Sequence, residues 1–196
     1  MTTQPEPLSA RIRRDLIART PPRRQPHIMG VEGMVLTLAA NWGLDPEACL
    51  LAALLHDITK PIDNDRQRGL LDRVTAVEVE AEDVDFPSVW HGLTGAQEAH
   101  DTYGVTDQGI LDAIAYHSTG RDHHSPVGLV LYVADFTEPS RHWDGVEKTR
   151  NRLLALDLHT AALEVAELKL ERLALQGKAA HPRTGRMAAW LRTLTT

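Results

Sequence analysis

The chain has 196 residues, 42% of them hydrophobic and 24% charged, with a formal net charge of −6. That length suits one domain with a sizeable core, and the acidic balance argues against non-specific binding to nucleic acid or to an anionic membrane surface. Cys49 is the only cysteine, so no intrachain disulfide can form and a reducing cytoplasm is the expected compartment.

The polar start, Met1–Pro7, lacks the apolar stretch of a signal peptide. No uninterrupted apolar run is long enough to span a bilayer. Ser9 is expected to cap a short, solvated, basic helix to about Ala18. Residues 1–20, rich in arginine, therefore read as a basic extension ahead of a main domain, 21–196. Pro21, Pro22 and Pro26 punctuate the chain, and a helix then runs to about Asn41. Val31, Met34, Val35 and Leu38 recur at helical spacing and face the core, with His27 one turn ahead of them.

Gly43 ends that helix, and Asp45-Pro46-Glu47 opens the next with Asp45 as N-cap. Leu50, Leu51, Ala53, Leu54 and Leu55 make it apolar on most faces, so it is expected to be central, with His56-Asp57 in its last turn. Lys60, three residues beyond Asp57, projects from the same side. Residues 63–87 read as a charged peripheral excursion with a helix near Arg66–Val77 and an acidic segment Glu78–Asp85. Trp90-His91-Gly92 then starts a helix to about Tyr103. Thr106 or Asp107 starts another, whose stripe of Ile110, Leu111, Ile114 and Ala115 leads to His117. Ser125-Pro126 opens an apolar helix ending in Asp135. Helices near Gly145–Leu156, Leu158–Gln176 and Arg183–Leu194 complete the chain. No run alternates with strand period, so the expected fold is all-α.

Three apolar helices thus end in metal-compatible residues: His56-Asp57, His117 and Asp135. His27 and His91 lie near the starts of two more. A buried carboxylate is costly unless it is paired or bound to a cation. Four imidazoles and two carboxylates exceed the ligand count of one zinc site and suit two ions, with Asp57 able to bridge through both oxygens. No thiolate is among them, so iron, manganese, zinc or another divalent ion fits. The remaining histidines, His100, His123, His124, His142, His159 and His181, read as surface or rim residues. Cys49 reads as core, and the tryptophans as packing.

The order His27, His56-Asp57, Asp135 resembles the His…His-Asp…Asp signature of HD-domain phosphohydrolases, which fold as helical bundles. The blocks Trp90–Ala96, Ala113–Gly120 and Tyr132–Arg141 narrow the resemblance to the YqeK-type symmetrical bis(5'-nucleosyl)-tetraphosphatases, from about Arg24 to Pro182. Ser118 stands where that family usually has threonine, and Asp122-His123-His124 replaces a usually smaller segment. The resemblance implies a two-iron site, with His27, His56, Asp57 and Asp135 on one ion and Asp57, His91 and His117 on the other. It implies hydrolysis of diadenosine tetraphosphate to two ADP by a metal-bridging hydroxide, with Asp57 and Lys60 catalytic. Lys60, Arg121 and Arg141 are implied phosphate contacts, and family members often pair as homodimers. The rival readings are an HD phosphohydrolase acting on mononucleotides or deoxynucleotides, and a nucleotide sensor without turnover.

Overall fold

Helix punctuation in this sequence comes from side chains that satisfy the free N–H groups of each first turn. Asp45 accepts from Glu47 N (2.9 Å), Asp63 from Arg66 N (2.9 Å), Asp107 from Ile110 N (3.0 Å) and Ser125 from Gly128 N (3.1 Å). Asp157 and His181 do the same further on. The computed structural model describes residues 6–195; residues 1–5 of the expected polar start, and Thr196, lie outside the described residues. Among the described residues there are ten α-helices and no strand. They are α1 (Leu8–Arg19), α2 (Gln25–Trp42), α3 (Pro46–Leu55), α4 (Asn64–Leu71), α5 (Trp90–Tyr103), α6 (Gln108–Tyr116), α7 (Pro126–Thr137), α8 (Val146–Leu153), α9 (Leu158–Leu175) and α10 (Pro182–Arg192).

Two helices are central. The α3 helix packs against α1, α2, α5, α6 and α7, and α7 against α2, α3, α6, α8 and α9. Leu54 and Leu55 of α3, and Leu129 to Ala134 of α7, are buried with Val31, Val35 and Leu38 of α2. Burying such side chains stabilises the fold by about 1.5–3 kcal/mol each. The apolar stripes expected from the sequence are therefore the core.

Four local expectations need correction. Ser9 does not cap α1, which starts at Leu8 after Pro7 without a side-chain cap. Nor is α1 only a solvated helix: Ile12 and Leu16 are buried in the core. The helix expected near Arg66–Val77 stops at Leu71, because Thr75 N and Ala76 N donate to Gln97 Oε1 instead of continuing a helical ladder. The excursion 63–87 is not merely peripheral. Asp83 is fully buried, with Arg183 Nη2 at 2.8 Å and His181 Nε2 at 3.0 Å, and Trp90 Nε1 donates to Asp83 O at 2.7 Å.

His181 is therefore a buried N-cap, not a rim residue; its Nδ1 accepts from Arg183 N and its Nε2 faces Asp83 Oδ1. His124 is also buried, and burial pushes it down to about 3, so it is neutral packing. Midway along, α10 seats Met187 against Gly120, where a Cβ would fall 1.7 Å from Met187 Sδ and φ is +66°. Only glycine fits that turn. The α10 helix thus grips the chain just before His91 and just after His117.

Candidate metal centre

The same local device delivers His56 and His117. In each case an apolar helix stops and the imidazole is the next residue, its Nδ1–H donated back to the helix. His56 Nδ1 donates to Ala53 O at 2.6 Å and His117 Nδ1 to Ile114 O at 2.8 Å. That fixes the tautomer, so both Nε2 lone pairs point inward. Asp57 lies in the turn that follows α3, not in its last turn as expected, and Lys60 follows three residues on. His27 enters from the first turn of α2, His91 from the first turn of α5, and Asp135 from near the end of α7.

The six side chains named from the sequence converge in two triads. His27, His56 and Asp135 form one; Asp57, His91 and His117 form the other, the ligand atoms of each lying within 4.8 Å of one another. Asp57 faces both. Its Oδ2 lies 3.5 Å from the Nε2 atoms of His27 and His56, and its Oδ1 lies 3.3 Å from His91 Nε2 and 3.9 Å from His117 Nε2. His27 Nε2 is also 3.5 Å from Asp135 Oδ1, and His91 Nε2 lies 3.0 Å from His117 Nε2.

Inward lone pairs and carboxylate oxygens at these separations repel one another unless a cation sits among them. The protonation balance agrees. Burial would raise Asp57, but His56, His27 and His91 hold it well below the usual carboxylate range. Asp135 is likewise held low, against burial, by Arg141 and Lys169. Burial keeps His91 and His117 neutral by lowering both. Burial also opposes a proton on His27, yet Asp57, Glu138 and Asp135 raise it to about 9. A site that draws a proton inward against burial also draws a metal cation, and its donors fit one: neutral imidazoles and ionised carboxylates.

Three supporting residues escaped the sequence reading. Glu138 Oε1 lies 3.1 Å from His27 Nδ1, and the same carboxylate accepts Ser140 N–H and Ser140 Oγ–H at 2.6 Å each. It orients His27 from behind, as carboxylates behind metal-binding histidines do. Glu138 lies within the Tyr132–Arg141 block that carries the resemblance, but nothing in that block marks it as a partner of His27. Arg24 donates to Asp57 Oδ2. Its place in a run of surface-looking arginines hid this. Lys169, more than thirty residues after Asp135 in the chain, carries no local sign of facing it.

Of the expected basic residues, Lys60 Nζ lies 3.1 Å from His91 Nδ1, and burial lowers its pKa despite Asp57. Arg141 binds Asp135 through Nη2 to Oδ1 at 2.5 Å and Nε to the backbone O at 2.8 Å. Arg121 instead pairs with Asp112 at 2.9 Å and lies over the Tyr116 ring. Trp90, read as packing, is buried and anchors the Asp83 turn.

The family model for the HD domain matches residues 24–140. A Bacillus subtilis (strain 168) protein named symmetrical bis(5'-nucleosyl)-tetraphosphatase is 31% identical over 166 residues, 84% of this chain and 87% of that protein. A protein of the same name from Halalkalibacterium halodurans is 32% identical over 66% of this chain and 68% of its own length. A solved structure from Clostridium acetobutylicum, described as a predicted HD superfamily hydrolase involved in NAD metabolism, superposes with a TM-score of 0.86 at 27% identity. The match covers 95% of this chain and 97% of that one.

Proposed function

The chain belongs to the HD-domain family, and from that premise we propose that it is a symmetrical bis(5'-nucleosyl)-tetraphosphatase, cleaving diadenosine tetraphosphate into two ADP. The observation that carries this is the pair of triads joined by Asp57, because two cation sites a few ångströms apart suit the hydrolysis of a phosphoanhydride. In this reading His27, His56, Asp57 and Asp135 would hold one ion, and Asp57, His91 and His117 would hold the other. Iron is the first choice for both, with manganese and zinc as alternatives. Such ions supply Lewis acidity, neutralising phosphoryl charge and acidifying water.

The chain's own residues do the rest. Glu138 and the carbonyls of Ala53 and Ile114 keep three imidazoles aimed inward. Lys60, beside His91 and mostly buried, offsets charge that develops on the phosphoryl oxygens and the leaving ADP. Arg141 and Arg24, already bound to the two ligand carboxylates, are placed to turn to phosphate oxygens, for which guanidinium is well shaped. Arg121 takes an outer phosphate only by leaving Asp112, and a partly exposed ion pair of that kind costs about 1 kcal/mol or less to open.

The proline break and the start of the HD match at 24 support a boundary near residue 20, across which α1 packs on the HD core through Ile12 and Leu16. The net charge of −6 supports the absence of nucleic-acid and membrane partners, and no described helix is long and apolar enough to cross a membrane. A cytoplasmic location and a homodimer complete the reading. Sedimentation analysis tests the dimer.

The deciding experiment is a substrate panel with chromatographic product identification, run with iron, manganese and zinc in turn. ADP as the sole product from diadenosine tetraphosphate is expected. Orthophosphate from a mononucleotide, with the dinucleotide untouched, would move the protein to another HD phosphohydrolase activity. Stoichiometric nucleotide binding without turnover would make it a sensor.

A further inference from the structure

The segment after α7 and one face of α9 enclose a cavity of about 320 Å³ that shares Asp135 with the first triad. Its size is at the lower end for small-molecule sites, which suits part of a dinucleotide better than the whole. Arg141, Lys169 and Arg172 line it together with the rings of Phe136 and Trp143. The two rings lie 5.1 Å apart, tilted by 39°, and form one aromatic wall.

The two cations of α9 are unusual in this chain. Lys169 Nζ donates to Ser118 O at 3.3 Å and sits 3.7 Å from the centre of the Tyr132 ring. An ammonium has three donors, and this one has a single hydrogen-bond acceptor. Arg172 lies 4.9 Å over the Trp143 ring. Neither has a carboxylate within ion-pair distance among the described residues, although Lys169 feels Asp135 across the cavity. Most arginines do have one, such as Arg13 with Glu32 and Arg192 with Glu167. Burial lowers Lys169 to about 8, against the pull of Asp135. Three residues apart on one helix, the two project to the same side. A second cavity, bordered by Arg73, Glu98 and Asp101, sets two carboxylates against one arginine and does not gather phosphate. Trp143, Lys169 and Arg172 all lie beyond the 24–140 stretch that matches the HD domain.

We infer that this cavity holds one nucleoside diphosphate arm of the dinucleotide, Lys169 and Arg172 binding its phosphates and the Phe136–Trp143 wall its base. The inference rests on the tetraphosphatase reading above. Aromatic walls and guanidinium planes are general receivers of bases and phosphates. An anchored arm also fixes which bridge is cut. Hydrolysis joins a water oxygen to one phosphorus and breaks that phosphorus's bond to the bridging oxygen, which leaves with the other phosphate; the water's two hydrogens go one to each new terminal phosphate oxygen and are released as those ionise. At the central bridge the products are two ADP, and at an outer bridge AMP and ATP. With one base and its two phosphates held in the cavity, the central bridge is the one presented to Asp57 and the two triads.

The test uses the full-length protein and its variants Arg172→Ala, Trp143→Leu and Lys169→Met, with helical circular dichroism and melting temperature as controls. Three quantities are read: KM for diadenosine tetraphosphate, the AMP and ATP share of its products, and ADP affinity by calorimetry. Removal of one charged contact is expected to raise KM and weaken ADP binding about tenfold, and AMP and ATP should appear among the products. If Lys169→Met does not fold, the other two variants decide. Folded variants that match the unaltered protein in all three readings overturn the inference. Failure of the unaltered protein to cleave the dinucleotide would instead refute the proposed function, while ADP titration still reads the cavity.

Discussion

Gly30 lies one helical turn after His27, and a Cβ there would fall 2.1 Å from Glu138 Oε2 and 3.1 Å from Glu138 Cδ. Gly30→Ala is therefore a lever on the metal centre that touches no ligand. Two effects compete. Alanine stabilises a helix interior over glycine by roughly 0.5–1 kcal/mol. Against that, Glu138 is fully buried and accepts from Ser140 N, Ser140 Oγ and the His27 ring, so its carboxylate has no polar place to retreat to. Each hydrogen bond to a charged group is worth about 1.5–3 kcal/mol, so losing even one outweighs the helical gain. With Glu138 displaced, His27 loses its orientation. Loss of such a partner typically costs about 10–100-fold in metal affinity or activity. The expected result is a fall in kcat/KM of that size, weaker metal uptake by calorimetry and no gain in melting temperature. Gly33→Ala on the same helix is the control: nothing lies within 4 Å of its Cβ, so it should raise stability by about 0.5–1 kcal/mol with full activity. If Gly30→Ala behaves like Gly33→Ala in all three measurements, the account of Glu138 is wrong.

Other outcomes can be stated briefly. His56→Ala and Asp57→Ala should each abolish turnover while leaving the helical dichroism nearly intact; retained activity in either would remove that residue from the centre. Chelation should lower the melting temperature, and a metal returned at a hundred times its dissociation constant should restore about 2.7 kcal/mol, read as a shift in urea unfolding. Asp83 is held down to about 2 by His181 and Arg183, against burial, while the unfolded chain titrates near 3.8. Because the unfolded state binds the proton first, stability is full above pH 4 and falls by about 2 kcal/mol as pH drops towards 2. Asp57 and Asp135 are held low as well, so the Asp83→Asn variant should keep an acid slope but lose about 2 kcal/mol less stability than the unaltered protein between pH 4 and 2, measured by urea unfolding.

The convergence of these side chains was legible because His56, His117 and Asp135 sit where apolar periodicity runs out. The all-α fold was legible for the same reason, as period 3.6 recurs through Val31–Leu38, Leu50–Leu55 and Ile110–Ala115. What supports the ligands was not. Glu138 and Arg24 reach the centre through contacts 111 and 33 residues apart in sequence, and local pattern carries no trace of such pairs. Composition misled in residues 63–87, where acidic character suggested solvent although Asp83 is neutralised by residues 98 and 100 positions later. His181 and His124 were misjudged alike: a histidine's burial depends on what packs over it, and that is decided by the approach of distant helices.

The grip of α10 on both Asp83 and Gly120 has a consequence for how the molecule fails. Clipping the chain in the linker before Pro182 would leave every ligand in place, yet strand a carboxylate in the interior and unseat the supports of His91 and His117 together. Damage at the far end of the chain should therefore be reported first by the second triad, with His27, His56 and Asp135 outlasting it.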